Sequence, residues 1–152
     1  MLTARKTGAF SREYRIEADD RFVTTFLASW WRTGGTFTVE GHEYTVRQNF
    51  WGAKYGMAMA DGTVVATADR VGRKHWTVDA EGRTLRFRRT SMWSGEQAMV
   101  DGDREVGSIR KLSWWKGGAV ADLPELDPAL QVFVVAVVLT MWDNQASAAA
   151  SS

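Results

Sequence analysis

Residues 129–142 read ALQVFVVAVVLTMW, with Gln131 and Thr140 as the only polar members. Valine favours strand, but fourteen residues is long for one strand. The segment before it, Leu123-Pro124-Glu125-Leu126-Asp127-Pro128, carries helix-start signals. Asp127 suits the N-cap and Pro128 the first helical position, with Glu125 as an alternative cap one turn earlier. Asp143-Asn144 reads as the stop, which predicts a helix over 128–142. Crossing a bilayer takes about 20 apolar residues, more than this run supplies. A helix apolar on nearly every side must be covered by protein. Each of its large side chains contributes roughly 1.5–3 kcal/mol if fully buried. A curved antiparallel sheet wrapped around it supplies that cover and closes its own edges. The competing readings are a membrane-associated helix and a dimer core.

Upstream, the chain reads as a series of hairpins. Residues 11–17 (SREYRIE) alternate as a first strand does, and 22–29 (FVTTFLAS) reads as a strand in preference to a short helix. Residues 36–40 and 43–48 flank Gly41-His42, with Phe37 and Val39 sharing one face and Tyr44 and Val46 sharing a face on the returning strand. Asp61-Gly62 turns a second hairpin, Ala80-Glu81-Gly82 a third and Asp101-Gly102-Asp103 a fourth. In the third, Leu85, Phe87 and Arg89 face one way and Arg86 and Arg88 the other. Residues 1–10 read as an arm and 146–152 as a mobile tail, leaving one domain over 11–145. Leu27–Gly35 and Leu112–Gly118 share Ser-Trp-Trp-basic followed by Gly-Gly, a faint internal echo.

Composition narrows the function classes. There is no cysteine, so disulfides, thiolate nucleophiles, thiolate zinc sites and palmitoylation are excluded. Net charge is +1, which gives no whole-molecule attraction to nucleic acid or acidic lipid, so any such attraction must come from local patches. The basic start lacks an apolar segment after it, so a signal peptide is not expected and a cytoplasmic location is. Eight tryptophans require a core or an interface to hold them.

Strands punctuated by glycine, then Trp115-Lys116-Gly117-Gly118-Ala119-Val120-Ala121-Asp122-Leu123-Pro124, then the apolar run 130–143, resemble the tubby C-terminal-like superfamily, on its phospholipid-scramblase and LURP-one-related side. The likeness covers roughly residues 11–145. It implies a mainly β fold: a closed antiparallel barrel of about twelve strands around one buried hydrophobic C-terminal helix. It also implies a role at membranes, since tubby-type domains bind phosphoinositide headgroups through basic side chains. The chain lacks the cysteine-rich acylation segment of scramblases.

Two basic groupings are the candidate sites. Residues 70–89 hold Arg70, Arg73, Lys74, Arg83, Arg86, Arg88 and Arg89 against Asp79 and Glu81. Converging guanidinium and ammonium groups can hold phosphate through charge-assisted hydrogen bonds. A solvated strand face is the plain alternative. The second grouping is Arg110, Lys111, Trp114, Trp115 and Lys116, echoed by Trp30, Trp31 and Arg32. Indole beside cation suits the headgroup layer of a membrane, while core packing or pinning of the Gly-Gly loop is the default reading. His42 and His75 have no metal-ligand spacing. Asp101, Asp103 and Glu105 alternate without the EF-hand pattern. No catalytic motif is visible, and no cofactor or metal is implied. The sequence thus points to a non-enzymatic binding or scaffold domain for anionic phospholipid headgroups at the inner membrane surface. A protein-interaction module without lipid, and an enzyme whose cleft no motif reveals, are the other readings.

Overall fold

Tight turns set the plan of the molecule. In a computed structural model, residues 1–8, 11–28, 34–49, 53–91, 93–112 and 117–151 are described. Twelve strands precede one helix: β1 (Leu2–Lys6), β2 (Glu13–Ala18), β3 (Arg21–Ala28), β4 (Gly34–Val39), β5 (His42–Gln48), β6 (Tyr55–Met59), β7 (Val64–Asp69), β8 (His75–Ala80), β9 (Arg83–Arg89), β10 (Gln97–Asp101), β11 (Arg104–Lys111), β12 (Ala119–Asp122) and α1 (Pro128–Ser151). Each strand pairs antiparallel with its sequence neighbour, and β1 pairs with β12 through Leu2↔Ala121 to close a barrel. Register shifts at Ile16/Glu17, Met57/Ala58 and Met99/Val100 bend the sheet as bulges do.

The apolar run lies inside this barrel, and the expected architecture holds. Val132, Phe133, Val134, Ala136, Val137 and Val138 are fully buried. By length and composition alone α1 qualifies as a membrane span, but that buried stretch is enclosed by the chain's own strands. Strand residues facing inward, such as Ile16, Phe26, Val78 and Phe87, complete the core. Polar groups in the core find partners. Trp76 Nε1 donates to Gln97 Oε1 at 2.8 Å, and Gln97 Nε2 donates to the Gly95 carbonyl at 3.0 Å. Thr140 Oγ1 donates to the Ala136 carbonyl within the helix.

Three boundaries differ from the sequence reading. Residues 2–6 form a strand, paired along its whole length with β2 and through Leu2, Thr3 and Ala4 with β12 from the far side of the sequence. The first hairpin is therefore β1–β2, and the arm expected over 1–10 shrinks. The helix does not stop at Asp143-Asn144 but runs to Ser151, where alanine, the best helix former, carries it on. Residues 146–151 are thus helical, where a mobile tail was expected. The ladder between β3 and β4 is short, pairing only Leu27↔Thr36 and Ala28↔Gly35. Beyond it Thr24 bridges the seam: its hydroxyl donates to the Thr38 carbonyl at 2.6 Å and accepts from the Thr38 N–H at 3.3 Å.

Candidate functional site: the two mouths of the barrel

Because neighbouring strands alternate in direction, connections fall alternately at two ends. The connections after β2, β4, β6, β8 and β10, and the linker from β12 to α1, share the end where the helix begins. Those connections hold Asp19, Asp20, Glu40, Asp61, Glu81, Asp103, Glu125 and Asp127, eight acids and no Arg or Lys. The connections after β1, β3, β5, β7, β9 and β11 share the other end, where Trp142 lies. Their described residues include Arg12, Lys54, Arg70, Arg73 and Lys74 against a single acid, Glu96. We call these ends the acidic mouth and the basic mouth.

The basic mouth is built as one platform. Arg70 to Lys74 form the β7–β8 turn, with Arg70 at φ 62° and Gly72 at φ 93°. Val71 is buried beneath it and its N–H donates to the Ala53 carbonyl at 3.0 Å, tying in the segment that carries Lys54. The Arg89 N–H donates to the Lys74 carbonyl at 2.8 Å, joining this turn to the end of β9. Lys54, Arg70, Arg73 and Lys74 are exposed and make no ion pair among the described residues. Lys111 lies 5.4 Å above the Trp142 ring and Lys6 6.0 Å from the Tyr14 ring. Burial pushes the Tyr14 phenol up to about 12, aided by the charge of Asp143. Burial also raises Tyr55, against a hydrogen bond from Asn144. Both phenols stay neutral at physiological pH.

Next to that platform stands Trp93, 98% exposed. The described residues around it, Thr90, Ser91 and Ser94 to Glu96, are braced by hydrogen bonds. The Gly95 N–H donates to the Ser91 carbonyl at 3.1 Å and the Thr90 N–H to the Glu96 carbonyl at 2.8 Å. The Ser94 N–H donates to Ser91 Oγ and the Glu96 N–H to Ser94 Oγ. The Gly95 carbonyl accepts from Trp142 Nε1 at 3.0 Å as well as from Gln97. The central helix therefore holds this connection in place.

The sequence-predicted residues are dispersed by the reversal at Glu81-Gly82. Arg70, Arg73 and Lys74 lie in a basic-mouth turn, and Arg89 and Lys111 end their strands at that mouth. Arg83 begins β9 at the acidic mouth. Arg86 and Arg88 lie on the outer wall, where Arg88 pairs with Glu105 at 2.8 Å. Arg110 is exposed opposite Val120 on the same wall. Trp30, Trp31, Arg32, Trp114, Trp115 and Lys116 lie outside the described residues. The Gly-Gly half of the internal echo has a packing reason. A Cβ on Gly118 would meet the Ala4 carbonyl oxygen at 2.5 Å, and one on Gly35 would meet the Leu27 backbone. Sequence reasoning passed over Trp93 and Lys54. The Ser-rich turn around Trp93 was the available signal, since Ser91 and Ser94 each accept a backbone N–H.

The acidic mouth has a cleft of about 540 Å³ lined by Glu40, Glu81 and Asp127 over Met57, Val65 and Leu130. A hydrogen bond to Asp127, and its charge, hold the Glu81 carboxyl above its ordinary range. Asp101 pairs with Arg104 at 3.6 Å, and Glu105 with Arg88. Among the described residues no group of three or more His, Asp or Glu is placed to hold a metal. His75 is exposed at the start of β8 opposite Arg88, and lines none of the larger cavities. No family model matches the chain, and neither a curated protein nor a solved structure is significantly similar to it.

Proposed function

We propose that the protein is a non-enzymatic binding domain that recognises anionic phospholipid headgroups as a peripheral protein at the inner, cytoplasmic membrane surface. One observation carries this: positive charge is gathered at one mouth, where Lys54, Arg70, Arg73 and Lys74 are exposed without an acidic partner. The resemblance to tubby-type domains supports it from the side of sequence. A basic residue near an anionic leaflet contributes about 1 kcal/mol, so four give roughly 4 kcal/mol, enough for reversible binding. The outer wall is polar and the interior apolar, the reverse of a membrane-spanning β-barrel.

Sedimentation with vesicles tests the reading. Binding is expected to vesicles of 30% phosphatidylserine in phosphatidylcholine, to weaken steeply from 0.05 to 0.3 M salt, and to be absent with phosphatidylcholine alone. Equal indifference to both compositions rejects it. A protein-interaction reading has its own observation. Phe22 and Leu27 are each 55% exposed beside the β3–β4 seam. A partner that binds through this seam, with no vesicle binding, would favour that second reading.

A further inference from the structure

We infer, resting on the lipid reading, that the barrel docks end-on: the basic mouth meets the headgroups, Trp93 enters the interfacial layer, and the acidic mouth points into water. Three observations converge on this orientation.

The first is Trp93 itself. A large aromatic held 98% exposed on a braced turn is not explained by packing. Indole suits the headgroup layer, apolar over most of its surface with one N–H to donate. Because Ser91, Ser94 and Gly95 around it are already tied by hydrogen bonds, and Gly95 to Trp142, little of their backbone freedom is lost when the ring is immobilised. Its neighbours across the Arg89–Lys74 hydrogen bond are the cations of the β7–β8 turn. Aromatic insertion and charge attraction therefore act at one place.

The second is the wall. A barrel lying on its side would present Arg88, which Glu105 already neutralises, Arg15, which Glu17 holds at 3.0 Å, and the exposed Arg86 and Arg110, which face Thr77, Val100 and Val120 on their neighbouring strands and no aromatic ring. Phe22, the exposed wall aromatic, is covered by the Arg15 guanidinium at 4.6 Å from its ring centre. Among the described residues, the unpaired wall cations Arg86 and Arg110 have no exposed ring beside them, and the wall's exposed ring, Phe22, already carries a cation.

The third is the separation of the mouths. Strands of about six residues span roughly 20 Å. Screening at physiological salt acts over about 8 Å. Upright, the eight acids of the far mouth are too distant to oppose binding. Side-on, they would come within reach of the anionic surface and be repelled.

The chain has no cysteine, so single labels report position cleanly. Ser94→Cys at the basic mouth, Thr67→Cys on the wall and Asp103→Cys at the acidic mouth are each coupled to an environment-sensitive fluorophore. Each is mixed with 30% phosphatidylserine vesicles, with and without quencher lipids. The position-94 label is expected to blue-shift and be quenched, and the labels at 67 and 103 to stay in water. Trp93→Ser is expected to weaken vesicle binding about tenfold. A wall label that responds as strongly as the label at 94, or unchanged binding by Trp93→Ser, overturns the orientation while leaving lipid recognition standing. No sedimentation of unlabelled protein with acidic vesicles removes both.

Discussion

The two mouths of the barrel close the same twelve strands by different means. At the acidic mouth four of the five hairpin connections are two residues long: Asp19-Asp20, Glu40-Gly41, Glu81-Gly82 and Gly102-Asp103. Asp19, Asp20, Glu40, Gly41, Glu81, Gly82 and Gly102 all take positive φ, as primed turns require. Such turns have no spare residue to present to a ligand. At the basic mouth the connections run from five to seven residues, room for a braced tryptophan and a cluster of cations. Turn chemistry dominates one end, and the other is free to vary.

The largest expected effect tests that division directly. Reversing three charges at one mouth, Arg70→Glu with Arg73→Glu and Lys74→Glu, should cut acidic-vesicle affinity at least about a hundredfold. Reversing three at the other, Asp19→Lys with Asp61→Lys and Asp103→Lys, should change it less than about threefold. Sedimentation at 0.1 M salt reads both. Comparable effects from the two triple variants would erase the functional distinction between the ends.

The basic mouth should also be mechanically dependent on the core. Gly95 sits at φ 70°, and a Cβ there would lie 2.8 Å from Trp142 Nε1. Gly95→Ala is therefore expected to cost about 2–3 kcal/mol in urea unfolding and to weaken vesicle binding as well. Unfolding that matches wild type would show that the connection does not lean on the helix.

Toward the acidic mouth the β3–β4 seam is held by a side chain where a backbone ladder is missing. Thr24→Val keeps the shape and removes both bonds to Thr38, so a loss of about 1–2 kcal/mol is expected, with vesicle binding unchanged. A neutral result would mean the seam is stabilised by packing alone.

The smallest effect concerns Glu81. Its folded pKa is raised by Asp127, so the folded state keeps this proton at pH values where the unfolded chain has lost it. That favourable contribution is complete below the ordinary carboxyl range and disappears as pH rises through the folded pKa. Glu81→Gln should accordingly raise Tm slightly at pH 7, with the difference closing below pH 4. A difference that widens in acid would contradict the Glu81–Asp127 contact.

The fold was largely legible because its signals are local. Asp61-Gly62, Glu81-Gly82 and Asp101-Gly102 mark turns wherever they occur, and an apolar run of fourteen residues with almost no polar side demands enclosure. β1 was missed because its hairpin with β2 turns through six residues without a tight-turn signal, and its other partner, β12, is the least local in the sheet. The helix end was misread because Asp143-Asn144 looks like a stop, whereas the alanines after it favour continuation. Of the candidate site, the residue types were visible and their assembly was not. Arg70 and Arg83 lie thirteen positions apart in sequence and at opposite mouths, because β8 carries the chain from one to the other. Lys54, distant in sequence from Arg70, is brought to it by the Val71–Ala53 hydrogen bond.

The helix that fills the barrel follows all twelve strands in chain order. During synthesis, each new hairpin must therefore wait with its inner face uncovered. Ring closure waits too, since Leu2 cannot meet Ala121 until β12 has been made. Assembly should be slow and governed by contacts distant in sequence, and the half-made sheet is a natural client for chaperones that shield greasy surfaces.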